Sequence, residues 1–234
     1  MSEMIRMIAL QRGMTRLCHF TPSRNFAHIA GDPRGLLSTS RLKTDERAVF
    51  NPTDLERLDG YKDHICCSIQ YPNAWYFKKA RAKERLFTDW VVLFIASHHF
   101  WMSGTKFCPR NAAAGGGRGV QEGADAFEAL FAPSVLGAGG RIFERQAHRP
   151  AFLPTDEQAE VLIQDRVARE DILGIAVIDE AQAKREIARL ETLGERVPSV
   201  IIAPDFFDPH RQSAAFRAGK LPEEQVYYHG DHDD

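Results

Sequence analysis

Two short stretches of this chain hold side chains suited to chemistry. The first is Pro154-Thr155-Asp156-Glu157-Gln158-Ala159-Glu160-Val161-Leu162-Ile163, a polar turn running into a strand whose later residues are plainly core. Side chains alternate along a strand, so Gln158 and Glu160 are expected to point the same way, setting an amide and a carboxylate toward one cleft at a sheet edge. Read alone, the pattern equally describes a surface glutamate at the start of a strand. The second stretch is Trp75-Tyr76-Phe77-Lys78-Lys79, continued by Arg81, Lys83 and Arg85. Bases stack on aromatic rings while phosphates pair with cations, so this composition suits a single-stranded nucleic acid. A surface helix with a solvated charged face has the same composition.

Other motifs carry less. Cys18, Cys66, Cys67 and Cys108 contain no C-x-x-C pair and read as buried free thiols rather than a metal or redox site. His98 and His99 are immediate neighbours after an apolar strand, too close to make a two-ligand pair on one strand face, so no metal is expected there. Asn111 to Gly123, with Gly115-Gly116-Gly117, is expected to be a flexible loop. It lacks the Lys-Ser/Thr and the strand-to-helix switch of a phosphate loop.

The elements that must position these residues follow from pattern. Arg16 to Phe20 alternates as a first strand, and Thr21-Pro22 is placed to cap and open a helix that closes at Gly31. Ser38 to Asp59 is polar, without a clear period, and reads as a long loop. His64 to Tyr71 is a second strand, Ala74 to Arg85 a helix, and Asp89 to Ala96 a buried strand. Asp125 to Phe131 is a short helix, and Pro133 to Pro154 is irregular. Strands are expected over Ala159 to Gln164, Asp171 to Ile178 and Val200 to Ala203, with a helix over Glu180 to Leu193.

The 234 residues are 44% hydrophobic and 26% charged, which excludes disordered, collagen-like and coiled-coil chains. One large α/β domain is expected at this length, hiding roughly 70% of the unfolded surface. The longest strongly apolar run, Trp90 to Ala96, is about a third of the roughly 20 residues that cross a bilayer. With no secretory signal visible in Met1 to Arg16, the expectation is a cytoplasmic protein without membrane contact. The net charge of −2 conceals an asymmetry. Residues 1–110 carry 17 Lys and Arg against 10 Asp and Glu, whereas residues 111–234 carry 13 against 22. The basic half permits a phosphate-facing surface, and a merely dipolar surface fits as well.

Taken in order, several motifs resemble the ADP-ribosyltransferase superfamily and, within it, the DarT family of DNA-modifying toxins. They are His19-Phe20-Thr21 on the first strand, Arg57-Leu58-Asp59-Gly60 before the second, and Ser68 within that strand. Tyr71-Pro72-Asn73 with Tyr76 follows at its exit, and Gln158-Ala159-Glu160 comes late. The resemblance runs from about Leu17 to Val177. It implies an α+β fold in which split mixed β-sheets, flanked by helices, clasp NAD as co-substrate, with no metal. It implies Glu160 as the catalytic glutamate, a carboxylate stabilising the oxocarbenium-like ribose as its bond to nicotinamide breaks. Arg57 matches the family's essential arginine, whose planar fork suits a pyrophosphate clamp better than proton abstraction. His19, Phe20 and Thr21, assisted by Asn25 and Ser68, would hold the ribose and nicotinamide. Tyr71 or Tyr76 would stack on the nicotinamide ring, unless both are ordinary core.

The acceptor implied is a base of single-stranded DNA presented outside a stack. Arg41, Arg47, Lys78, Lys79, Arg81 and the loop from Asn111 are candidates for its channel, and Gln158 is placed to orient the acceptor or the glutamate. The superfamily keeps its substrate-recognition loop between Asn111 and Thr155. Leu-Asp-Gly after Arg57 and Cys-Ser-Ile-Gln-Tyr-Pro-Asn on the second strand depart from the thymine-modifying branch, so thymine and guanine both stand as targets. RNA or protein acceptors, and a non-catalytic nucleic-acid-binding module, are the rival readings. A toxin of this kind implies a macrodomain antitoxin as partner. One transferase domain is expected over 1–228, with 229–234 as a disordered tail.

Overall fold

The structure is a computed structural model that describes residues 1–42, 57–84 and 88–228. Its centre is the strand β1 (Arg16–Pro22), one side of which pairs along its whole length with β4 (Trp90–Ala96). β4 is the unbroken apolar run of the sequence, and it is buried because strands cover both of its edges and helices both of its faces. β11 (Ile172–Val177) lies antiparallel on β4, and β12 (Ser199–Ile202) lies parallel to β11. The crossover between these two is the helix α5 (Glu180–Thr192), and β13 (Gln225–Tyr227) closes that side.

The other side of β1 behaves differently. β3 (His64–Ile69) meets β1 at two residue pairs, Leu17 with Ile69 and Cys18 with Ser68. On its other edge it pairs with β9 (Glu160–Gln164) from His64 to Cys67, where its edge toward β1 has no ladder. β5 (Lys106–Cys108) and β6 (Gln121–Glu122) continue outward, giving the order β13-β12-β11-β4-β1-β3-β9-β5-β6. The mixed sheet is therefore split where β1 and β3 part, as the α+β reading expects. Two small ladders stand apart, β2 (Leu36–Leu37) with β10 (Arg166–Val167) and the hairpin β7 (Ser134–Leu136) with β8 (Ile142–Glu144).

Helices cover both faces. α1 (Glu3–Gln11), α2 (Ser23–Gly31), α4 (Ala124–Ala129) and α5 pack over one core, and in α5 Ala183, Ile187 and Leu190 make the buried stripe. α3 (Ala74–Lys83) and α6 (Pro209–Arg217) cover the second core with Phe77, Phe206 and Phe216. Asn73 caps α3 by accepting the Tyr76 N–H at 3.0 Å.

Several expectations need correction. Thr21 is a strand residue and caps nothing, because the ladder with β4 holds as far as Pro22 opposite Trp90, and α2 starts without a side-chain cap. The stretch 133–154 contains the β7–β8 hairpin. The glycine-rich loop is a packed segment with a 3-10 turn over Ala112–Gly115 and with Ala112 and Val120 buried. Gly117, at φ +78°, lies so close to the Arg57 turn that a Cβ would stand 2.1 Å from the Asp59 carbonyl oxygen. His98 and His99 sit on a 3-10 turn, Ser97–Trp101, and so escape the alternation of a strand. α1, α6 and β13 lie in stretches where no element was expected. Arg47, Arg85 and the tail 229–234 lie outside the described residues. Among the described residues no helix is long and apolar enough to cross a membrane.

Candidate active site

The site begins with the parting of β1 from β3, which leaves backbone groups of both strands without a ladder partner. His19 supplies one, its Nδ1 lying 2.8 Å from the Cys66 carbonyl oxygen across the gap. A carbonyl accepts only, so Nδ1 carries the proton and Nε2 is the acceptor of the neutral ring. Burial lowers the His19 pKa against the opposing pull of that hydrogen bond, and the nearby Arg57 lowers it further, so the neutral ring is favoured. Thr21 continues the same edge. Its hydroxyl accepts from Asn25 Nδ2 at 3.1 Å, and Asn25 Oδ1 is buried with no hydrogen-bond partner among the described residues.

Ser68 sits where the strands separate. Its hydroxyl donates to the Cys18 carbonyl at 3.4 Å and accepts the Asn73 N–H at 3.1 Å. Asn73, capping α3 through Oδ1, leaves its Nδ2 buried and unpartnered among the described residues. Both orphans, an acceptor on Asn25 and a donor on Asn73, belong to residues lining one cavity at the split. Buried polar atoms are nearly always satisfied, so two such atoms in one cavity wall point to a ligand that satisfies them.

Arg57 is held with unusual definition. Its backbone is left-handed at φ +40°, it is 7% exposed, and its guanidinium donates to Asp59 Oδ1 at 3.1 Å, Asp59 Oδ2 at 2.8 Å and the His64 carbonyl at 2.6 Å. The fork expected to clamp a pyrophosphate is thus engaged by Asp59. What the guanidinium brings to the cavity wall is a fixed positive charge, the one that acts on His19.

Glu160 opens β9, opposite Cys108 of β5, and is 8% exposed. That register brings the chain just beyond β5 beside it, and Asn111, three residues after Cys108, donates its Nδ2 to Glu160 Oε1 at 3.0 Å. Both residues line the cavity, across from His19 and Thr21. The cysteines are inert neighbours. Burial raises the thiols of Cys66 and Cys67 well above the ordinary range and that of Cys108 to about 11, with Glu160 adding to each.

The structure therefore gathers Glu160, Arg57, His19, Phe20, Thr21, Asn25, Ser68 and Tyr76 around one cavity. Phe20 stacks on Phe77 with centroids 4.6 Å apart, and Tyr76 tilts against Phe20. Other expected residues fall elsewhere. Tyr71 is core, edge-on to Phe206 and Phe216, and lies outside the cavity wall, so Tyr76 is the ring left for stacking. Gln158 precedes the strand rather than sharing its face with Glu160, and its N–H donates to Asp156 Oδ1 at 2.9 Å. Arg41 makes an exposed bidentate pair with Asp165 at 2.7 and 2.8 Å. Arg81 is half-buried, donating to the Phe207 carbonyl and lying over the Phe77 and Phe207 rings, so its role is packing. Lys78 and Lys79 are exposed; Lys78 and Arg81 line a second hollow beside Phe207 and His210. Asp59 and the Nδ2 of Asn73 were not foreseen as site groups, and Asn111 was expected only as the start of a loop lining the acceptor channel.

Residues 18–208 match the family model described as ssDNA thymidine ADP-ribosyltransferase, DarT. No curated protein matches. Among solved structures, Thermus sp. 2.9 DarT in complex with ADP-ribosylated ssDNA is similar at TM-score 0.56 and 14% identity, covering 83% of this chain and 97% of that one. The same Thermus protein in complex with NAD+ gives 0.50 at 15% identity, covering 82% and 97%. Thermosipho africanus DarTG in complex with ADP-ribose gives 0.51 at 14%, covering 82% of this chain and 50% of that one. These likenesses establish the fold. The split sheet, the carboxylate of Glu160 at its cavity and the family model over most of the length agree: the chain belongs to the DarT family of ssDNA thymidine ADP-ribosyltransferases.

Proposed function

We propose that this chain transfers ADP-ribose from NAD to a thymine base of single-stranded DNA, with NAD seated in the cavity at the β1–β3 split. The observation that carries the reading is the convergence there of Glu160, Arg57 and the two orphaned amide groups of Asn25 and Asn73. A carboxamide offers one acceptor and one donor, the complement of Asn73 Nδ2 and Asn25 Oδ1, so these two read the nicotinamide. His19 Nε2 and the Thr21 hydroxyl serve a ribose, and Tyr76 stacks on the pyridine ring.

When the ribose C1′–nicotinamide bond breaks, its electron pair leaves with nicotinamide and positive charge develops on the sugar. Glu160, oriented by Asn111, stabilises that charge. A ring nitrogen of the base then forms its bond to C1′, and its proton is released to solvent. Lys78 and Lys79, two and three residues beyond Tyr76 on α3, track the strand's phosphates. The ssDNA thymidine description of the family favours thymine over guanine. The Thermus complexes with NAD+ and with ADP-ribosylated ssDNA support the two substrates. The reading makes 1–228 one transferase domain and the chain a cytoplasmic toxin paired with a macrodomain antitoxin.

The test is incubation with labelled NAD and separate pools of single-stranded DNA, RNA and protein, followed by mass spectrometry of the released nucleosides. ADP-ribosylated thymidine is expected, and Glu160→Gln should lower the rate about 100- to 1000-fold. An adduct on guanosine would move the base but keep the chemistry. Label on RNA or protein alone, or full activity in the variant, would overturn the reading.

A further inference from the structure

The end of the sheet remote from the cavity holds a cluster the transfer reaction does not use. His19 to Pro22 of β1 face Leu93 to Trp90 at the cavity end, while Arg16 faces Ala96 at the other. Just past Ala96 the chain turns through the 3-10 segment Ser97–Trp101, and just before β11 it turns through Arg169–Asp171. β4 and β11 are antiparallel neighbours, so the exit of one and the entrance of the other meet. There Asp171 Oδ2 lies 3.0 Å from His99 Nε2 and 3.4 Å from His98 Nε2, and one ligand atom from each of the three residues falls within 4.8 Å of the others.

We propose that His98, His99 and Asp171 bind a single first-row divalent cation of the zinc type, as a clamp between β4 and β11. Bonds of about 2.1 Å in tetrahedral geometry separate ligand atoms by about 3.4 Å, so the His98–Asp171 separation already matches, while His99 and Asp171, hydrogen-bonded at 3.0 Å, exchange that bond for the ion and part by a few tenths of an ångström. The rings stack with centroids 4.3 Å apart and planes at 29°, which keeps the two imidazoles side by side next to Asp171. Two imidazoles and one carboxylate form a borderline donor set, suited to zinc, cobalt or nickel rather than to magnesium or calcium.

The supports of these ligands are fixed before any ion arrives. Phe100, between His99 and Trp101, is fully buried, and the His99 carbonyl accepts the Thr105 hydroxyl at 2.8 Å. The Ser2 N–H donates to the Trp101 carbonyl, and the Asp171 N–H to the Ala168 carbonyl. With the backbone of both turns held, only side-chain freedom is lost on binding. His98, with 40% of its side chain exposed, gives the ion an entry path and room for water to complete its coordination. The β4–β11 ladder is irregular between Ile172 and Gly174, so the clamp would tie the sheet where its own hydrogen bonding is interrupted.

Cobalt(II) titrated into the chelator-treated full chain tests this. Saturation at one equivalent in the visible spectrum is expected, with displacement by zinc and a zinc-dependent rise in Tm. His98→Ala, His99→Gln and Asp171→Asn should each weaken binding by at least the roughly tenfold that loss of even an outer partner costs, while ADP-ribosylation of DNA continues at the wild-type rate. His98 is the exposed member, so its variant keeps the test valid if the others unfold. Absence of a saturable one-to-one spectrum would overturn the proposal. So would binding unchanged in both His98→Ala and Asp171→Asn, which would place the ion on other residues such as His229 and His232.

Discussion

Asn111 donates its side-chain amide to Glu160 Oε1 at 3.0 Å, joining a residue three positions beyond β5 to the first residue of β9. This hydrogen bond exists because Cys108 and Glu160 are direct partners in the ladder, which brings a glycine-rich loop to the carboxylate it serves. The amide fixes which way Glu160 faces. Asn111→Ala should therefore lower kcat about 10- to 100-fold with little change in the KM for NAD, since an outer partner orients the group without itself binding substrate. Asn111→Asp should be worse than alanine, because it sets a second negative charge against the first. Steady-state kinetics on both variants, with circular dichroism to show that they fold, check this.

The buried pair Arg57–Asp59 makes a different demand, because its members are 7% and 5% exposed and each compensates the other. Arg57→Ala should destabilise the chain by about 3–5 kcal/mol, since it leaves a buried carboxylate unpaired. Arg57→Met with Asp59→Leu removes both charges and should recover most of that loss. The double variant should nonetheless remain inactive, because the cavity has lost its fixed cation. Urea denaturation set beside NAD turnover separates the two effects.

The parts of this fold that were legible in the sequence are those fixed by local burial. β4 is an unbroken apolar run because it is covered on both faces, and the stripe of α5 follows from its own period. The split was expected from the resemblance alone and not from local pattern, because His64–Ile69 reads the same whether or not its ladder with β1 continues below Ser68. Alternation placed Gln158 beside Glu160, yet alternation holds only once the pleat has begun, and Gln158 is still in a turn closed by Asp156. Arg81 counted as a free cation in composition, while its neighbours in space are two phenylalanine rings. Asn111 had one sequence signal, a polar amide three residues after the short strand that ends at Cys108. Only the β5–β9 register gives that signal meaning.

Salt dependence distinguishes the cations of α3. Lys78 and Lys79 are exposed on the helix whose first turn carries Tyr76, whereas Arg81 is committed to the Phe207 carbonyl at 2.9 Å. On single-stranded DNA, removing one lysine–phosphate pair should flatten the plot of log affinity against log salt by about 0.7. Lys78→Ala with Lys79→Ala should accordingly reduce the slope by about 1.4. Arg81→Ala should leave the slope unchanged and lower Tm instead. Fluorescence anisotropy with a labelled oligonucleotide at several salt concentrations measures the slopes, and a thermal melt measures the Tm.

Asp156 supplies a pH signature of stability. It is 1% exposed, Oδ1 accepts the Gln158 N–H at 2.9 Å, and Oδ2 is buried without a partner among the described residues. Burial raises its pKa above the ordinary 3.8, against the lowering effect of that hydrogen bond, so the folded chain holds this proton more tightly than the unfolded chain does. Between the unfolded and folded pKa values the folded state binds more protons, and the contribution of Asp156 to stability falls as pH rises through that window. Above it, the cost of an ionised buried carboxylate is present in full. Asp156→Asn keeps the acceptor for Gln158 and removes the charge. The variant should be more stable than the wild type at pH 7, and the difference should shrink as pH falls toward 4. Urea denaturation of both proteins across that range decides the matter; a gap that is constant with pH would mean that Asp156 does not titrate on unfolding.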